Sequence, residues 1–206
     1  MKQLYLLLIL LLVLSSCEKD DPQPPSTGGG DLEILTTSDL IADADSTNLY
    51  TFFSLRENKV IPNSDSATTN WDIAFRGTTI LTNNGTSGPG MGGAQVIDGI
   101  FDELAQAPVD GYDIDDILGT AIPTGSGNGW YLYTASNTPV HAILPIAGKI
   151  IVIRTADERY AKMEIQSYYE GNPNTTTPEF ADLSTRPPSR YYTFRFVFQE
   201  DGSLNF

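Results

Sequence analysis

Apolar and polar residues alternate with period two over much of this chain, a spacing that predicts strands because successive side chains of a strand point to opposite faces. In YAKMEIQSYY, residues Ala161, Met163, Ile165, Ser167 and Tyr169 fall on one face and Tyr160, Lys162, Glu164, Gln166 and Tyr168 on the other, as in a half-buried strand. The preceding KIIVIRT (149–155) is rich in β-branched residues. The short polar link Ala156-Asp157-Glu158-Arg159 predicts an antiparallel hairpin between the two. RYYTFRFVFQ sets Tyr192, Phe194, Phe196 and Phe198 opposite Arg195 and ends in a turn at Asp201-Gly202. Further strands are predicted at 49–55, 71–81, 94–99 and 129–134, a brief helix at 101–107, and long loops at 123–129 and 171–189. No segment of period 3.6 exceeds about 12 residues, so the fold class is all-β: antiparallel sheets in one domain with at most one short helix. Trp71 and Trp130 lie within such strands and are expected to be packed inside.

One loop carries a possible fingerprint. TNNGTSGPGMGGAQV (82–96) contains G-x-G-x-x-G from Gly88 through Gly90 to Gly93. In a dinucleotide site that motif leaves a strand and opens a helix, with an acidic residue about 20 positions on. Here AQVID, which follows, reads as a strand. A phosphate loop fails as well, because Met91 stands where the lysine must be. The loop is therefore expected to be a structural turn. The acids of DIDD (113–116) lack the glycine and terminal glutamate of a calcium loop and are expected to form a solvated face.

The N-terminus changes the picture of where the domain works. Residues 4–14, LYLLLILLLVL, form an apolar run of 11, short of the about 20 residues of a membrane span and suited to a signal peptide. Leu14-Ser15-Ser16-Cys17 resembles the lipobox of bacterial lipoproteins, with Cys17, the chain's one cysteine, as the lipid attachment site. Residues 1–16 are thus expected to be a signal peptide, 17–30 a lipidated tether and 31–206 the β domain. PQPPSTGGG within the tether can bury nothing. The acidic Glu18-Lys19-Asp20-Asp21 looks like the short signals that send lipoproteins of some Gram-negative bacteria to the cell surface. The expected location is the bacterial outer membrane, lipid-anchored and displayed at the surface. Of 12 Lys and Arg and 26 Asp and Glu, removal of residues 1–16 takes Lys2 alone and leaves a net charge of −15. Such a surface repels nucleic acid.

In order along the chain, NSDSATTNWDIAFRGTTILTNNGTSGPGMGGAQV, PVDGYDIDD, GWYLYT, KIIVIRTADERYAKMEIQSYY and YYTFRFVFQEDGS resemble the HmuY-like haem-binding surface lipoproteins over about residues 50–206. The resemblance implies an all-β fold, haem as cofactor, and a non-enzymatic role in haem and iron acquisition that feeds an outer-membrane haem transporter. It also implies iron ligation by two histidine or methionine side chains, one falling near Tyr133-Thr134-Ala135 and the other between Asp116 and Trp130. Neither residue type occurs in either place. The remaining candidates are His141 and Met91 as haem contacts, with Met163 expected in the core from its strand face. A displaced pair, His141 with Met91, is one reading, and one of them with water or the tyrosine-rich loops is another. The alternative is a haem-less scaffold of this type that binds another ligand, a glycan or a partner protein. No catalytic site is expected, because the single histidine has no serine elbow beside it.

Overall fold

The aromatic alternation of the C-terminal strand sets the centre of the molecule. The structure, a computed structural model, describes residues 32–43 and 45–206; the predicted signal peptide, Cys17 and the tether lie outside the described residues. The strands are β1 (Leu35–Ile41), β2 (Thr51–Ser54), β3 (Lys59–Ile61), β4 (Ile73–Arg76), β5 (Thr79–Thr82), β6 (Gly93–Asp98), β7 (Tyr131–Tyr133), β8 (Ile143–Pro145), β9 (Lys149–Arg154), β10 (Tyr160–Tyr169) and β11 (Ser189–Gln199). A single turn of helix, α1 (Pro178–Ala181), precedes β11. One antiparallel sheet has the order β1-β11-β10-β9-β6, a second β3-β2-β4-β5, and β7 pairs with β8.

The two larger sheets meet face to face. Tyr192, Phe194 and Phe196 of β11 are fully buried and pack against Phe53 of β2 and Phe75 of β4, with Phe53 and Phe194 centroids 5.5 Å apart and Phe75 and Phe194 5.6 Å apart. Met163, Ile165, Ile151 and Ile153 complete this layer. Each such aromatic removes about 150–250 Å² from water, about 4–6 kcal/mol as an upper bound. Because every second residue points away, the outer face of the five-stranded sheet needs its own cover. Phe101, Ala107 and the C-terminal Leu204 and Phe206 provide it over Ile150, Val152 and Val197. Trp71 does the same for the four-stranded sheet, packing on Phe52 with 4.8 Å between centroids.

The all-β antiparallel class holds, as do the predicted β9–β10 hairpin, in which Tyr160 pairs with Arg154, and the burial of Met163, Trp71 and Trp130. Three local expectations do not. The stretch 71–81 is a hairpin rather than one strand, turning at Gly77, whose φ of +54° suits glycine. The helix expected at 101–107 is a single 3-10 turn at Phe101–Glu103. The predicted loop 171–189 contains α1, which Thr177 caps by accepting from Phe180 N and Pro178 opens with its fixed φ.

Candidate functional site

The chain's one histidine lies on the connection of the β7–β8 hairpin. The root of this hairpin is fixed by Trp130, which donates from Nε1 to Thr78 O at 3.1 Å and packs against Tyr131, Tyr168 and Tyr192. The hairpin is tied to the sandwich where Ile143 N donates to Tyr169 Oη at 3.0 Å. Beyond that root, Leu132 and Tyr133 emerge into solvent, Tyr133 being 44% exposed. Thr134 closes the connecting loop: its N–H donates to Ala142 O at 2.9 Å, and its Oγ1 accepts from Ala142 N at 2.8 Å. His141 adopts a left-handed φ of +54° and donates its backbone N–H to Ala135 O at 2.8 Å. That turn folds the imidazole back beside β7, where Nδ1 lies 2.6 Å from Tyr133 Oη. The two rings lie side by side, with 23° between their planes.

Burial holds Tyr192 well above the ordinary tyrosine range and raises Tyr168 to about 12.

The glycine-rich loop is a different kind of structure. Asn83, fully buried, donates from Nδ2 to Trp71 O at 2.7 Å and accepts at Oδ1 from Gly90 N at 2.9 Å. A Cβ on Gly88 would stand 2.1 Å from Asn83 Oδ1, and one on Gly90 2.7 Å from Asn83 O. The glycines therefore let the loop wrap one asparagine, and β6 rather than a helix follows. Met91, 54% exposed, sits on this loop with its N–H donating to Ala156 O and its carbonyl accepting from Arg154 Nε, both at 2.9 Å. The DIDD acids do not form a solvated face throughout. Asp115 is buried and accepts from Thr82 N at 2.9 Å and Ala121 N at 2.8 Å, pinning the 113–121 segment to the end of β5. Among the described residues no group of three metal-ligating side chains gathers.

The sequence candidates for iron are thus not brought together. Met91 lies beside the turn that enters β10, and Ile143, two residues after His141, bonds the Tyr169 hydroxyl at the strand's other end. Ten residues of strand span about 30 Å, so the two cannot flank one iron. The segment 116–129 exposes Ile117 and Leu118 almost completely and contains no histidine, methionine or tyrosine. The one histidine and the exposed Tyr133 are the potential donors that this hairpin brings together. Tyr133 is the residue that a search for histidine and methionine alone passes over; its placement two strand positions beyond the buried Tyr131 was the available signal.

The fold and this hairpin define a β-sandwich that presents one exposed Tyr–His pair. The family model described as HmuY protein matches residues 46–181, and the chain belongs to the HmuY family. Among solved structures it is similar to the apo HmuY analog of Tannerella forsythia, at 16% identity and a TM-score of 0.49, covering 83% of this chain and 100% of that one. It is also similar to a provisionally named HmuY-like haem-binding protein from Bacteroides vulgatus, at 16% identity and a TM-score of 0.47, covering 80% and 91%. A provisionally named lipoprotein from Bacteroides fragilis matches at 14% identity and a TM-score of 0.48, covering 82% and 92%. No curated protein matches.

Proposed function

We propose that this protein is a non-enzymatic haem-binding lipoprotein, anchored through Cys17 and displayed at the bacterial surface, which holds haem at the β7–β8 hairpin and passes it to an outer-membrane haem transporter. Membership of the HmuY family supports the class. The observation that carries the site is that the chain's only histidine folds onto an exposed tyrosine, Nδ1 to Oη 2.6 Å, on the hairpin where the resemblance expects an iron ligand. The lipobox-like Leu14–Cys17 supports the anchor, since acyl chains at about 0.8 kcal/mol per buried methylene hold a protein on a bilayer.

Titration of the purified full chain with ferric haem tests the reading: a saturable, shifted Soret band supports it, and its absence overturns it. Protease treatment of intact cells tests display, which complete protection of the domain would rule out. A second reading, a scaffold that binds a glycan or a partner protein through its loops, is favoured by the missing donor in 116–129. That reading takes over if no haem binds in either oxidation state, since function follows the site rather than the fold.

A further inference from the structure

At the β4–β5 turn a cavity of about 380 Å³ opens, lined by Arg76, Arg190, Asp43, Asn48, Thr79 and Tyr168. Its lining sets two guanidiniums against one carboxylate, a local excess of positive charge in a chain whose formal net charge is −14. Arg76 donates from Nη1 to Asn48 Oδ1 at 3.1 Å and Asn48 O at 3.4 Å, and its Cζ lies 4.2 Å from the centre of the Tyr50 ring. No carboxylate pairs with it among the described residues, and its Nε and Nη2 hydrogens stay available. Arg190 donates from Nη1 to Asp43 O at 2.7 Å and Ser46 Oγ at 3.0 Å, with Asp43 Oδ2 at 3.7 Å. Asp43 is itself engaged, its Oδ1 accepting from Thr47 Oγ1 at 2.7 Å and Asn48 N at 2.9 Å.

We infer that this cavity binds an acidic monosaccharide, its carboxylate held by Arg76 together with Arg190 and its hydroxyls by Asn48, Thr79 and Tyr168. This site is independent of haem binding. The free edge of a guanidinium presents parallel N–H groups that match the two oxygens of a carboxylate. At about 30 Å³ for each water-sized group, the volume holds about a dozen of them, the size of a hexuronic acid. An inorganic oxyanion would fill a small part of that space. A fatty carboxylate would set its hydrocarbon chain against the threonine and tyrosine hydroxyls and the asparagine amide, at the cost of leaving them unpaired. Sugar hydroxyls both donate and accept, as those side chains do.

The fold holds these groups in place before any ligand arrives. Arg76 ends β4, Thr79 opens β5, Tyr168 belongs to β10 and Arg190 to β11, and sites built on strands keep their geometry better than sites on loops. Tyr168 is 4% exposed and wedged between Trp130 and Tyr192, with centroids 5.8 Å and 5.3 Å away. Burial raises its titration, and the Arg190 guanidinium beside it works in the opposite direction. Gly77 also lines the cavity and adds no side chain to it; the nearest atom to a Cβ built there is Tyr168 Oη at 4.0 Å. The stacking of Arg76 on Tyr50 fixes its guanidinium plane, so little side-chain freedom is lost on binding.

Isothermal titration of the purified full chain with glucuronate, galacturonate, glucose and inorganic phosphate provides the test, alongside Arg76→Gln and Arg76→Lys. At least one of the two acids should give a saturable one-to-one heat that weakens as sodium chloride is raised, because salt screens partly exposed charges. Glucose, which lacks the carboxylate, should bind at least about tenfold more weakly, the loss expected of one charge-assisted pair. Arg76→Gln should weaken the acid about 10- to 100-fold and leave glucose unchanged. Arg76→Lys keeps the charge without the fork and should recover part of that loss; it also serves if urea midpoints show that the glutamine variant is unfolded. Equal affinity for glucose and the acids, binding of phosphate alone, or full affinity in both Arg76 variants would each overturn the assignment. So would the absence of heat with both acids.

Discussion

Asp72 Oδ1 accepts a hydrogen bond from Ala156 N at 3.2 Å, tying the four-stranded sheet to the β9–β10 turn of the other sheet. Its second oxygen accepts from Leu55 N at 2.8 Å. Burial nevertheless dominates, and it raises the carboxyl to about 6 against the hydrogen bonds that lower it. An unfolded aspartate titrates near 3.9, so the folded state holds the proton more tightly. The resulting stabilisation is full below about pH 4 and is lost as pH rises through about 6, on the order of 3 kcal/mol. Urea midpoints measured from pH 4 to pH 7 should show this fall in the wild type and a flatter profile in Asp72→Asn. Identical profiles would mean that Asp72 is not the group responsible.

The glycine-rich loop makes a steric prediction. In Gly88→Ala the new methyl would meet Asn83 Oδ1 at 2.1 Å and the Trp71 ring at 2.7 Å. Neither neighbour is free to yield, since both are fully buried. The substitution should cost about 1–3 kcal/mol, as overpacking does, in denaturation experiments, and reduce quenching protection of Trp71. Wild-type stability in this variant would contradict the wrapped-asparagine arrangement.

Alternation made much of this architecture readable in advance, because Tyr192, Phe194 and Phe196 on one face of β11 leave only one way to bury three aromatics. The elements that were not legible break the period. β1 shifts register between Thr37 and Leu40, and β3 and β8 have three residues each, too few for a pattern to form. In 71–81 the sequence carries no mark of a turn apart from Gly77. The 101–107 segment has helical spacing, but its apolar side is drawn onto the outer face of the sheet, where Phe101 covers Lys162. At the site, His141 was visible as the lone histidine, yet its partner was not. Eight positions separate it from Tyr133, and left-handed turns at Ala135 and His141 close that distance.

Lys162 is a buried cation whose partners are carbonyls. Its Nζ donates to Phe101 O at 2.9 Å and Leu104 O at 2.8 Å, and burial holds the ammonium below the ordinary lysine range. Lys162→Met keeps the stem's packing but leaves both carbonyls without a partner. The expected loss is about 1–3 kcal/mol, accompanied by faster amide exchange across 101–107 than elsewhere in the sheet. Unchanged exchange in that segment would show that the lysine does not fasten it.

Met91 provides the sharpest contrast with the β7–β8 site. It was a natural candidate in the sequence, since a methionine among glycines can approach a flat ligand and thioether sulfur is a known haem ligand. Its backbone, however, is fixed between Ala156 and Arg154, at the end of β10 remote from Tyr169 and His141. About 30 Å of strand lies between the two positions, more than two side chains can bridge. Met91→Ala should therefore leave haem affinity within about twofold of wild type, a change of under about 0.5 kcal/mol, while the double variant Tyr133→Phe/His141→Ala weakens it. The same haem titration measures both. A methionine variant that weakens binding tenfold or more would place the ligand at the glycine loop and remove the hairpin from the site.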